Sequence, residues 1–153
     1  MATYLLKKSY QLKDLKEVNF NDLWNSHGVF TTMWIFGQPP KILFFNNHIK
    51  NLIKSLKDYN LNRPNIRKKI NKLIRLNLNK SKKYNHLLRV AINNRLISIS
   101  LRSKIKLKSN FKLNLLNYKR IKPEYKNLKY KNILKNLFKV DPSSFDIGLC
   151  VNK

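Results

Sequence analysis

Acidic side chains are scarce here: seven Asp and Glu stand against 33 Lys and Arg, for a formal charge of +26. Cysteine is scarcer still. The single Cys150 excludes an internal disulfide and any cysteine-rich zinc site. His27, His48 and His86 lie far apart in the chain with no HxxxH spacing, so they read as structural histidines and no metal is expected. With only three glycines there is no Ser/Gly-rich linker, and no internal repeat is visible. Long apolar runs are missing as well. The start, MATYLLKKSY, lacks a signal-peptide core, and no later run approaches the length of a membrane span. A cytoplasmic chain with no membrane partner is the expectation.

A charge of +26 ordinarily points to nucleic acid or an anionic surface. The 22 asparagines beside the many lysines and isoleucines point instead to codons poor in G and C. Much of the charge then records nucleotide composition, and nucleic acid is not the expected partner. The rival reading is a basic, ribosomal-type nucleic-acid-binding protein, with Tyr84, Tyr118, Tyr125 and Tyr130 as stacking faces. Against it, the basic residues are spread along the chain and no nucleic-acid-binding motif is found.

Hydrophobic residues make up 42% of the chain, enough for a core. VFTTMWIF at 29–36 and KILFF at 41–45 flank the turn signal GQPP and predict a hairpin. Ile49, Leu52, Ile53 and Leu56 recur at helical spacing and predict a helix over 47–59. Pro64 suits the first turn of a second helix, with a stripe of Ile66, Ile70, Leu73 and Ile74. HLLRVAINNRLISISLR at 86–102 predicts a second hairpin turning at Asn93 and Asn94, with Arg89 and Arg95 read as solubilising strand residues. A basic linker over 104–110 leads to a strand at Phe111, Leu113 and Leu115. Tyr130, Ile133, Leu134, Leu137 and Phe138 then fit a helix ending near Pro142, and 145–151 is a final strand. The fold class is α+β. A small N-terminal domain over 1–108, two hairpins packed with two helices, precedes the strand, loop, helix and strand of a second domain over 109–153.

The segment KPEYKNLKYKNIL, 122–134, places Lys126 between the strand and the helix, whereas Lys129 and Lys131 fall on the helix itself. A loop lysine is able to point into a cleft, where desolvation makes its amine a nucleophile. Exposed loop lysines are nevertheless the norm.

The stretch HGVFTTMWIFGQPPKILFFNNHIKNLIKSLKDYNL, 27–61, resembles the opening of the fold-type IV pyridoxal-phosphate enzymes, the class IV aminotransferases and aminodeoxychorismate lyases. Gly28, Phe30, Thr32, His48, Leu52 and Ser55 fall in register with that family's GxxFET and HLxRL patterns. HLLRVAINN is similar to its following strand, and KPEYKNLKY to the segment that carries the cofactor lysine. The resemblance implies pyridoxal 5'-phosphate as cofactor and Lys126 as the lysine that forms its imine and moves a proton at the substrate Cα. It also implies Tyr130 as an aromatic beside the cofactor, an amino acid or aminodeoxychorismate as substrate, and a homodimer at full length. Two departures stand out. The phosphate-gripping arginine of HLxRL falls on Asn51, which brings no charge and no bidentate fork. The family also continues past the strand matching FDIGLCVNK to an acid that pairs with the pyridine nitrogen, so a chain truncated after the lysine segment is expected. Transaminase and lyase both remain open.

Overall fold

The computed structural model describes residues 3–104, 113–116, 122, 124–129 and 147–150. In chain order the elements are β1 (Tyr4–Gln11), β2 (Glu17–Val18), β3 (Gly28–Gly37), β4 (Lys41–Ile42), α1 (Phe45–Asp58), α2 (Ile66–Asn77), β5 (Tyr84–Asn93), β6 (Leu96–Ser103), β7 (Leu113–Leu116) and β8 (Ile147–Cys150). The chain is mixed α and β. Six strands form one antiparallel sheet in the order β2-β1-β6-β5-β3-β4, and β7 pairs with β8 in parallel.

Both helices form for the reason their stripes suggest. Ile49, Leu52 and Leu56 on α1, and Ile66, Ile70, Leu73 and Ile74 on α2, are all buried. They cover one face of the sheet, where Met33, Ile35, Leu88, Val90, Ile92, Ile97 and Ile99 are essentially inaccessible to solvent. Each such aliphatic side chain contributes about 1.5–3 kcal/mol on burial. The chain leaves α1 through Asn60 at φ 55°, with the Leu61 amide bonded to the Leu56 carbonyl at 2.8 Å. That left-handed residue stops the helix and turns the chain toward α2.

The structure corrects several expectations. KILFF is a strand only at Lys41 and Ile42, because Phe44 takes a left-handed conformation and Phe45 already opens α1. Pro64 lies before α2 rather than in its first turn. The sequence reading omitted β1, which pairs with β6 over Tyr4–Gln11 and places the N-terminal segment inside the sheet. The expected helix around Tyr130 to Phe138 lies outside the described residues.

The second face of the sheet is also covered. A strap over residues 19–27 crosses it, pinned by the Asn21 amide on Ser9 Oγ at 2.9 Å and by Ser9 Oγ against Ser98 Oγ at 2.8 Å. Leu23 of this strap is 2% exposed and packs with Ala91 and Leu128.

Candidate functional site

Gly28 determines how Lys126 is held. A Cβ there would lie 2.6 Å from Leu128 Cδ1 and 2.3 Å from the Ile92 carbonyl oxygen, so only glycine permits the approach. Through that gap residues 126–128 lie against the start of β3. The Phe30 amide donates to the Lys126 carbonyl at 2.8 Å, and the Leu128 amide to the Gly28 carbonyl at 2.9 Å. The strap closes the arrangement with the Asn25 amide on the Leu128 carbonyl at 2.8 Å. Lys126 is therefore tied to a sheet edge by backbone bonds, with Asn127 bridged to Val29. Its side chain is exposed, which corrects the expectation of a desolvated amine.

The chain neighbours of Lys126 are anchored to the end of α1. Tyr125 hydrogen-bonds Asp58, and its phenol is pushed up by burial and by that carboxylate. The Tyr125 ring meets Tyr59 edge to face at 5.4 Å. Tyr59 in turn hydrogen-bonds Asn127 and stacks on His27 at 5.3 Å. Further along α1, His48 Nδ1 lies 3.0 Å from Thr31 Oγ1. Burial, and then the positive charge of Lys126, push this imidazole down, so it favours the neutral form.

On the other side of Phe30, β5 carries Arg89, paired with Thr32 in register. Its guanidinium lies 3.7 Å from the Trp24 ring centroid and 5.2 Å from that of Phe30. Nη1 donates to the Asp22 carbonyl at 2.9 Å, whereas Nε and Nη2 are sealed from solvent with no acceptor among the described residues. Desolvation pushes the group down to about 10, against the opposing pull of Asp22, so it remains a cation at neutral pH. This corrects the reading of Arg89 as a solubilising residue. A buried planar cation with two free donors is a receptor for a carboxylate. The available signal was the aromatic content of the strap, but nothing in the sequence indicates that the strap covers β5.

The ladder brings these groups together. Residues opposite one another share a face, so the Lys126 Cβ emerges on the side of Phe30. Lys126 and β5 flank β3, two strand spacings or roughly 10 Å apart, within reach of two long side chains toward one ligand.

Other expected residues are placed less favourably. Tyr130, expected beside the cofactor, lies outside the described residues. Asn51 and Ser55 follow His48 at i+3 and i+7 along α1, and Asn51 is exposed. Pyridoxal phosphate requires an amine and an anion cradle. Lys126 fits the first, while the second draws on uncharged Asn51 and Ser55 and on cationic Lys122, whose Nζ lies 5.2 Å from the Tyr59 ring centroid. The donor set fits the cofactor, with a weak hold on its phosphate. No group of His, Cys, Asp and Glu among the described residues forms a metal site, and no described helix is long and apolar enough to cross a membrane. Tyr84 is 4% exposed and Tyr125 packs on Tyr59, so neither offers a stacking face to nucleic acid. Tyr118 lies outside the described residues. An open cleft of about 680 Å³ beside Lys13, Arg63 and Arg95 is lined by neither Lys126 nor Arg89.

No protein-family model matches the chain, and no curated protein matches it.

Proposed function

We propose that this chain carries the lysine and the carboxylate receptor of a pyridoxal-phosphate-dependent enzyme of the fold-type IV kind. It is a class IV aminotransferase or an aminodeoxychorismate lyase, acting on the amino group of a carboxylate-bearing substrate. The observation that carries the reading is the pairing of an accessible amine, Lys126, with the unsatisfied guanidinium of Arg89 on either side of Phe30. An amino acid presents an amine and a carboxylate a few ångströms apart, and these two side chains are matched to that pair.

Pyridoxal phosphate, when bound, supplies a carbonyl carbon for amines and a ring that accepts electrons. Lys126 provides the nucleophilic amine and carries the proton to and from the substrate Cα. Arg89 fixes the carboxylate and so orients the Cα toward that amine. Trp24 and Phe30 exclude water around the guanidinium, which strengthens its hold on an anion. Neutral His48 adds no second charge beside the amine.

Trp24 stacks on the arginine, so its fluorescence reports the carboxylate site directly. In a Trp34→Phe background, a 2-oxo dicarboxylate should change that emission saturably, and Arg89→Met should abolish the response. Pyridoxal phosphate should give a visible chromophore that Lys126→Ala removes. A chromophore that survives Lys126→Ala, or an emission blind to carboxylates, would overturn the proposal.

A further inference from the structure

Lys126 is exposed, yet the residues on both sides of it are anchored to α1, and that asymmetry needs a reason. Tyr125 is held by Asp58, and Asn127, 2% exposed, is held by Tyr59. Asn127 also ties its own segment together. Its Nδ2 donates to the Lys122 carbonyl at 3.2 Å, and its Oδ1 accepts from the Lys129 amide at 3.1 Å. The Asn127 amide donates to the Tyr125 carbonyl at 2.9 Å, folding the backbone tightly around Lys126. Tyr59 is the C-cap residue of α1 and is 8% exposed, with His27 Nε2 at 3.1 Å from its carbonyl oxygen. A buried amide bonded to a buried phenol is a costly way to fasten an ordinary surface turn.

We infer that Tyr59 and Asn127 are positioning residues for Lys126: they fix its backbone against β3 so that the amine is presented beside Phe30 and not dispersed in solvent. The inference rests on the proposed reading of Lys126 as the reactive amine. It gives the lysine rigidity through its backbone while leaving the side chain free to move a proton. The charged and titratable groups around it are His48 and Asp58 on α1, and Lys122, Glu124, Tyr125 and Lys129 on the segment itself.

The test uses pyridoxal, which lacks the phosphate and so reads the amine alone, with cyanoborohydride to trap the adduct and peptide mapping to compare Lys126 with exposed Lys129. Tyr59→Phe keeps the ring contacts with His27 and Tyr125 and deletes only the hydroxyl. It should lower the Lys126 to Lys129 trapping ratio by roughly two- to tenfold, the equivalent of one lost hydrogen bond. His27→Leu removes a contact to the Tyr59 carbonyl and leaves Asn127 untouched, so it should lower the melting temperature without moving the ratio. Should Tyr59→Phe prove too unstable to handle, Asn127→Asp, which keeps the acceptor for the Lys129 amide and loses the Nδ2 donor, should show the same fall. A wild-type ratio near unity would overturn the lysine assignment itself. A selective wild type whose ratio is unchanged in the Tyr59 or Asn127 variants would leave that assignment standing and overturn the positioning role.

Discussion

Gly28→Ala is the smallest change that should separate Lys126 from the sheet. The added methyl would stand 2.3 Å from the Ile92 carbonyl oxygen, 2.6 Å from Leu128 Cδ1 and 3.1 Å from Asn93 Cα. Carbon and oxygen approach no closer than about 3.3 Å even in favourable contacts, so roughly 1 Å must open between β3 and β5. Gly28 pairs with Asn93 at the end of that ladder, and the end can fray without disturbing the core pairs from Phe30 onward. Leu128, fully buried against Leu23 and Ala91, must also leave. Its exposure costs about 1.5–3 kcal/mol, and each of the three backbone bonds around it adds about 0.5–1.5 kcal/mol where water does not replace it fully. With partial relaxation, Gly28→Ala should cost about 2–5 kcal/mol while the sheet and both helices persist. Urea unfolding gives the magnitude, and amide exchange at Phe30 and Leu128 gives the location. Pairing with Leu128→Ala should be less than additive, because the methyl then takes space the leucine vacates. A Gly28→Ala protein with wild-type stability and protected Phe30 and Leu128 amides would refute the close-approach argument.

Arg89→Met should be neutral or stabilise the fold by about 1 kcal/mol, since it removes a buried charge with unsatisfied nitrogens, and should abolish carboxylate binding. A large destabilisation in urea would mean that Arg89 is structural. Lys126→Met should raise the His48 titration midpoint in proton NMR, because it deletes one of the two causes that push the imidazole down. An unchanged midpoint would separate the two side chains. His48 is depressed in the folded protein, so its share of stability is present above the ordinary histidine pKa and is lost as pH falls through the folded value. His48→Gln should flatten that acid-side loss in pH-dependent melting.

The helices were legible because each buries one face. Ile49, Leu52 and Leu56, and Ile66, Ile70, Leu73 and Ile74, lie inward at the spacing that the 3.6-residue turn requires. The strands were harder to read where both faces are covered. In β5, Val90, Ala91 and Ile92 are all buried, which removes the alternation that would have marked Arg89 as facing a second, enclosed side. In β1, Lys8 reaches back to Glu17 at 2.9 Å while Ser9 and Tyr10 are buried, so YLLKKSYQ shows no clean period of two. Lys126 was legible as a loop residue ahead of an apolar stretch. Its docking was not, since that depends on Gly28 nearly a hundred residues earlier leaving room for Leu128. Close approach between distant segments has no local signature.

The most direct test of the central claim is to incubate the chain with pyridoxal phosphate, reduce with borohydride and map the modified peptide. The account predicts label concentrated on Lys126, abolished by Lys126→Ala, strongly reduced by Gly28→Ala and unaffected by Lys129→Ala. Label scattered over the lysines in proportion to their exposure would contradict it and leave Lys126 as one more surface charge.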